Sequence, residues 1–249
     1  RIIKPSYEIL THISEGGKEE IERIAQAAST CYQSKPQKPE ALVKRLIESG
    51  HESQLEHSTL SVRFICDRGI THEIVRHRLF SFSQESTRYC NYSKDKFDKE
   101  ITFILPCFID PASAAYDNFV RFVQRAECEY FDMLNFGFMV QEARAVLPNC
   151  VKTTLVVTGN YREWRSFFKL RTASDAHPQM RELTIPLLRD LQKQIPIIFD
   201  DILAEQIEPN NAQQKEENVK TAFIASVDTH VDAASIKASI QRLRKTLSK

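Results

Sequence analysis

Glycine is scarce. There are six in 249 residues, and none falls in a GxGxxG or GxxxxGK[ST] spacing. The Rossmann dinucleotide fingerprint and the P-loop phosphate cradle are therefore both absent. No CxxC pair links the six cysteines, Cys31, Cys66, Cys90, Cys107, Cys128 and Cys150. They read as reduced, mostly buried thiols of a cytoplasmic protein, not as a disulfide framework. Neither sign of charge dominates: Lys+Arg 34 against Asp+Glu 33 leaves +1. That argues against a surface that attracts nucleic acid or anionic lipid as a whole, and leaves room for a local basic site. No apolar run approaches the ~20 residues needed to cross a bilayer, and no apolar leader is expected near the N-terminus. What is present, 42% apolar and 27% charged residues, is the ordinary balance of a soluble globular chain. Its length suffices to bury a core without disulfides or metals.

Hydrophobic spacing predicts a strand over Tyr7–Ile13 and helices over Gly17–Tyr32 and Pro39–Ser49, the second opened by Pro39 and ended by Gly50. Leu60, Val62, Phe64 and Cys66 alternate with Ser61, Arg63 and Ile65, which is strand period. A short polar helix is expected over Gly69–Phe80, an extended segment over Phe82–Tyr92 and a strand over Ile101–Leu105. Helices follow at Pro111–Asn135, Val140–Val146 and Tyr161–Leu170. Val151–Thr158 fits a strand or a buried helix equally well. Arg181–Leu203 reads as helix broken at Pro186 and Pro196. The fold class is α+β, a single domain over residues 1–208 with a mixed sheet flanked by helices. A polar extension over 209–249 ends in a basic amphipathic helix, Ala233–Leu247.

The densest polar cluster runs from Glu73 to Arg88. On a helix, Arg76, His77 and Arg78 would fan over about 200°. In extended chain, Gln84, Ser86 and Arg88 would share one face. Arginines beside an amide and a hydroxyl suit an anion pocket, with Arg recognising phosphate bidentately. A solvated basic helix next to a polar edge strand explains the same residues equally well. Asn160 is a plausible N-cap, and Arg171, eleven positions on, returns near its azimuth at the edge of the apolar face. By spacing alone, Arg171 reads as a core-flanking snorkeller at least as readily as a pocket charge. His72 and His77 are five apart and His51 and His57 six apart, spacings that do not converge on a helix, so no metal is expected. No cysteine sits where a nucleophile would be activated; Cys90, two residues after Arg88, reads as a small strand residue.

Four segments, in order, carry a resemblance: Arg76-His77-Arg78, then seven residues, Ser86 and, two further on, Arg88; His51-Glu52-Ser53-Gln54-Leu55-Glu56-His57; Ala143-Arg144-x-x-Leu147-Pro148; and Asn160-x-Arg162 with Leu170-Arg171. Over roughly residues 50–185 the chain resembles the flavin-dependent thymidylate synthases. The resemblance implies an α+β homotetramer with active sites shared between subunits. It implies methylation of dUMP with the one-carbon unit of methylenetetrahydrofolate, a hydride from reduced FAD, and NADPH to regenerate the flavin, with no cysteine nucleophile. It places Ser53, Arg76, His77, Arg78, Gln84, Asn160, Arg162 and Ser166 against FAD. It places Glu73, Arg76, Ser86, Arg88, Arg144 and Arg171 against dUMP, with Arg171 activating the uracil.

The chain departs from that pattern at Gln84 and Gln141, where acids are common, and at Ser166, often His or Asn. It also departs in the longer stretch Ala176–Glu182. Two other readings compete. One is a nucleic-acid module stacking bases on Phe80, Phe82 and Tyr89, against which the near-neutral charge counts. The other is a different flavoprotein on the same scaffold.

Overall fold

Alternating burial marks two long strands, and the other described elements up to residue 203 are arranged around them. The structure, a computed structural model, describes residues 1–31 and 33–203. It begins with β1 (Ile2–Ile3), β2 (Ser6–Ile9), α1 (Lys18–Thr30) and α2 (Pro39–Glu48). A 3₁₀ segment over Glu52–His57 leads to β3 (Thr59–Asp67), which runs directly into α3 (Arg68–Ile74). Then come β4 (Ser81–Gln84), β5 (Phe103–Ile104), the long α4 (Ala114–Asn135) and the single turn α5 (Val140–Ala143). β6 (Lys152–Asn160), α6 (Tyr161–Arg171), α7 (Pro178–Gln194) and α8 (Pro196–Phe199) follow. No helix among the described residues is long and apolar enough to cross a membrane.

Four strands pair in the order β2-β3-β6-β4, every pairing antiparallel. β3 and β6 match along their whole length, from Thr59 opposite Asn160 to Asp67 opposite Lys152. β1 and β5, far apart in sequence, form a separate parallel pair. The expected mixed sheet is thus an antiparallel sheet plus this two-stranded satellite.

Leu60, Val62, Phe64 and Cys66 of β3, with Leu155 and Val157 of β6, bury one face of the sheet. Trp164, Phe167 and Phe168 of α6 and Leu183, Leu187, Leu188 and Leu191 of α7 complete that core. The burial of Leu155 and Val157 between exposed-side neighbours settles Val151–Thr158 as strand. A second cluster gathers Tyr92, Ile101, Phe103, Val123, Tyr130, Ala143 and Val151 around α4.

Three expectations need correction. The helix foreseen over Gly69–Phe80 ends at Ile74, and Val75–Phe80 is a series of turns. Beyond Ile74 the backbone bonds shorten to three-residue turns, His77 N to the Ile74 carbonyl and Phe80 N to the His77 carbonyl, and both side chains turn inward into the aromatic core. The extended segment foreseen over Phe82–Tyr92 is strand only to Gln84. The amides of Tyr89 and Cys90 both donate to the Ser86 carbonyl, at 3.1 and 2.9 Å, and close a turn. Helix α7 passes through Pro186 unbroken, its buried stripe outweighing one lost backbone bond. The polar extension 209–249 and the helix foreseen at Ala233–Leu247 lie outside the described residues.

Candidate functional site

Arg171 ends α6, and its guanidinium is held on two sides. Nε donates to His77 Nε2 at 3.0 Å, Nη1 to Glu73 Oε2 at 3.0 Å, and Nη2 to the Glu73 carbonyl at 3.2 Å. Guanidinium carries five N–H groups, so one on each Nη remains open. The Arg171 side chain is 22% exposed and Glu73 34%, which leaves those donors accessible. The Arg171 backbone is fixed as well, its carbonyl accepting from the Thr184 hydroxyl at 2.8 Å. Arg171 is therefore aimed, and not the loose snorkeller that its position at the edge of the apolar face equally allowed.

His77 lies beneath it, buried. Phe167 meets its ring edge-on with centroids 4.9 Å apart, and Phe80 stands 6.1 Å away. Burial, and then the neighbouring Arg171 charge, pull its pKa down to about 4. A neutral imidazole with Nε2 as acceptor is what the Arg171 Nε–H bond requires. Arg76 and Arg78, on either side of His77 in the chain, are both exposed, and no side-chain bond ties either to another described residue. The helical fan is thus replaced by an in-out alternation: one imidazole inward, two guanidiniums outward.

Phe80 locks this loop. Its ring lies 4.7 Å from Trp164 and 5.8 Å from Phe167. It also lies directly on the β6 backbone, where a Cβ on Gly159 would fall 2.1 Å from the ring. Only glycine admits that approach. Leu79, next to Phe80, is left 77% exposed.

At the other end of β4 a second group forms. Arg144, in the 3₁₀ turn after α5, donates through Nη1 to the hydroxyl of buried Thr87 at 3.2 Å. That bond ties Arg144 to the turn carrying Ser86 and Arg88. Ser86 Oγ accepts from the Arg88 amide at 3.3 Å, while the exposed Arg88 guanidinium lies 5.5 Å over the Tyr89 ring. Because the chain turns here, Gln84, Ser86 and Arg88 do not line one strand face. Gln84 sends its amide nitrogen to Thr71 at 3.0 Å and Thr153 at 3.4 Å. Glu85, which sequence reasoning passed over, anchors the turn by accepting from Lys152 at 2.7 Å and Tyr92 at 3.0 Å. Four residues of strand span about 13 Å, so the Arg171 group and the Ser86–Arg88 group stand apart within one chain.

The outer stripe of α6 carries Arg162 and Ser166, both exposed and one helical turn apart. Arg162 Nη1 reaches Glu56 at 2.5 Å, and Ser53 is exposed on the same 3₁₀ segment. Asn160 caps the helix, its Oδ1 accepting from the Glu163 amide at 2.9 Å. Sequence reasoning missed Arg165, which is 1% exposed. It donates to Asp201 in a fork at 2.6 and 2.6 Å, to Glu52 at 3.0 Å, and to the Ile198 carbonyl. Its place between Trp164 and Phe167 was the available signal, since a charge on a buried helical face must be paired.

Residues 12–197 match the family model described as thymidylate synthase complementing protein. The chain is 35% identical over 206 residues to the flavin-dependent thymidylate synthase of Corynebacterium aurimucosum, covering 76% of this chain and 82% of the relative. Two further relatives bear the same description. That of Mycobacterium avium is 37% identical over 194 residues, covering 70% of this chain and 76% of its own length. That of Mycobacterium tuberculosis is 36% identical over the same lengths and shares.

Proposed function

The chain belongs to the flavin-dependent thymidylate synthase family, and from that premise we propose that it converts dUMP to dTMP with Arg171 acting on the uracil ring. The observation that carries this reading is the clamp on Arg171: three N–H groups spent on His77 and Glu73, one on each Nη left facing outward. A guanidinium oriented in advance stabilises negative charge that develops at the N3/O2 edge of a uracil without reorganising. Arginine suits the task because it stays protonated and presents a planar pair of donors.

The donor set fits a phosphate-bearing flavin and a nucleotide. Arg76, Arg78 and Arg88 are exposed, and among the described residues none has a carboxylate partner. Exposed Leu79 and Tyr89 add apolar surface for a flat ring. FAD would be held by Ser53, Arg76, Arg78, Gln84, Asn160, Arg162 and Ser166, with His77 supporting from below. The dUMP would be held by Glu73, Arg76, Ser86, Arg88, Arg144 and Arg171, Ser86 and the arginines taking its phosphate. When bound, reduced FAD supplies the hydride, methylenetetrahydrofolate the carbon, and NADPH the electrons that restore the flavin.

The separation of the Arg171 and Ser86–Arg88 groups within one chain supports a further point. A nucleotide touching both kinds of residue would do so most easily with walls from neighbouring copies, as in a homotetramer. Purified protein should take up FAD, oxidise NADPH faster when dUMP is added, and yield dTMP in the presence of the folate. Protein that takes up no flavin, or whose NADPH oxidation ignores dUMP, would contradict the reading. Sedimentation showing an active monomer would contradict the shared site.

A further inference from the structure

Glu163 holds the third position of α6, where an acid after an Asn cap ordinarily reaches back to the cap. Here it does something else. The residue is 8% exposed, and its Oε1 lies 3.5 Å from His77 Nδ1. Among the described residues its carboxylate makes no closer polar side-chain contact. The far nitrogen of the same ring accepts from Arg171 Nε at 3.0 Å.

We propose that Glu163 is a positioning residue: it selects the Nδ1–H tautomer of His77, so that Nε2 keeps a free lone pair for Arg171. The inference rests on the reading of Arg171 as the group that acts on the uracil.

Donors and acceptors decide the state of the ring. Neutral imidazole carries one N–H, on either nitrogen. If Nε2 carried it, two N–H groups would face each other across 3.0 Å and Arg171 would lose its Nε anchor. Arg171, which can only donate, favours the lone pair on Nε2 from its side, and a second group on the far side of the ring reinforces or opposes that choice. A carboxylate at Nδ1 can only accept, and so draws the proton to that side. Burial strengthens the choice, because an electrostatic preference counts for more in a poorly solvated site. The packing of Phe167 and Phe80 prevents the ring from turning over to exchange the two nitrogens. Glu163 is itself firmly placed, its backbone amide bound to the Asn160 side chain. The sequence Glu163, His77, Arg171 thus transmits the position of a helix N-terminus to a guanidinium at the other end of the same helix.

The test begins with the unaltered holoenzyme, with the His77 imidazole nitrogens read by ¹⁵N NMR and assigned through their loss in His77→Gln. The proton is expected on Nδ1, and a proton on Nε2 overturns the proposal. Glu163→Gln is close to isosteric, and its folding and flavin content are checked by thermal unfolding and absorbance. With an amide that can donate as well as accept in place of the carboxylate, the preference for the Nδ1–H tautomer should weaken and a share of the Nε2–H form should appear. The kcat should fall on the order of tenfold, as for loss of a partner that orients a ligand-contacting side chain, while KM for dUMP moves less than twofold. In a His77→Gln background, where the amide oxygen accepts from Arg171 unaided, Glu163→Gln should change kcat no further. Wild-type kcat and a single unchanged tautomer in Glu163→Gln would refute the relay, as would full additivity of the two substitutions. If the wild-type enzyme itself made no dTMP, the reading of Arg171 would fall, while the NMR result would still decide the tautomer.

Discussion

Two arginines on α6, six residues apart, are used in opposite ways. Arg165 is 1% exposed, and both its terminal nitrogens are spent on Asp201, Glu52 and a backbone carbonyl, while its Nε is buried without a partner. Arg171 is 22% exposed and keeps two donors in reserve. The first is a strut: it ties the 3₁₀ segment at Glu52–His57 and the end of α8 to the middle of α6. The second, held firmly yet incompletely satisfied, is the one proposed to act on the uracil. What separates them is where the leftover donors lie, buried in Arg165 and reachable in Arg171, and residue type alone does not show it.

That contrast is broken most visibly at Arg165. Arg165→Met strands Asp201 and Glu52, both held below the ordinary carboxylate range in the intact protein. The Arg165 bond is the main cause at Asp201; at Glu52 the bonds to Arg165 and Lys169 outweigh the opposing effect of burial. Removing one partner of a fully buried pair costs about 3–5 kcal/mol; with Asp201 half exposed and Glu52 still paired to Lys169, solvent screening brings the expected loss to about 2–3 kcal/mol. Chemical denaturation should register a loss of that order, and an unchanged midpoint would show the strut to be ornamental.

Gly159→Ala comes next, because it attacks the loop beneath Arg171 without touching either arginine. Its methyl group would meet the Phe80 ring and push the Val75–Phe80 turns outward. Overpacking of that kind costs about 1–3 kcal/mol. Here it should also lower turnover, whereas Arg165→Met should leave the residual folded fraction active. Smaller again is Ser86→Ala, which removes one hydroxyl from the phosphate candidates. A single hydrogen bond to a charged group is worth about 1.5–3 kcal/mol, so dUMP affinity measured by calorimetry should weaken by about tenfold or more while turnover stays measurable.

A further effect is one of pH. His77 titrates near 6.5 when unfolded and near 4 in the fold, because burial and then the Arg171 charge oppose its protonation. The unfolded chain therefore binds the extra proton first. Stability from the neutral ring is complete above about 6.5 and drains away as pH falls toward 4. Denaturation midpoints measured across that window should decline, and His77→Gln should flatten the decline.

Much of the scaffold was legible in the sequence, and the reasons are local. Leu60, Val62, Phe64 and Cys66 declare β3 through period-two spacing, and Pro39 and Asn160 mark helix starts that the structure uses. The exact course of Val75–Arg88 was not legible. Its polar run suits a helix or a strand, and only Phe80 closing on Gly159 and the turn at Ser86 decide it. The motif residues of the site could be named from their order along the chain. Glu163, Arg165, Thr87 and Glu85 could not, because their roles depend on partners 7 to 113 positions away. Pairing across such distances leaves no periodic trace.

The central claim is that α6 divides its arginines between stability and chemistry, and Arg171→Ala tests it most directly. Folded, flavin-loaded protein carrying this substitution would be mixed with dUMP and the folate after reduction, and dTMP followed through one turnover. Loss of an oriented donor to a developing anion predicts a rate lower by on the order of 10²–10³, with the unfolding midpoint close to that of the wild type. A wild-type rate of dTMP formation from that variant would contradict the account.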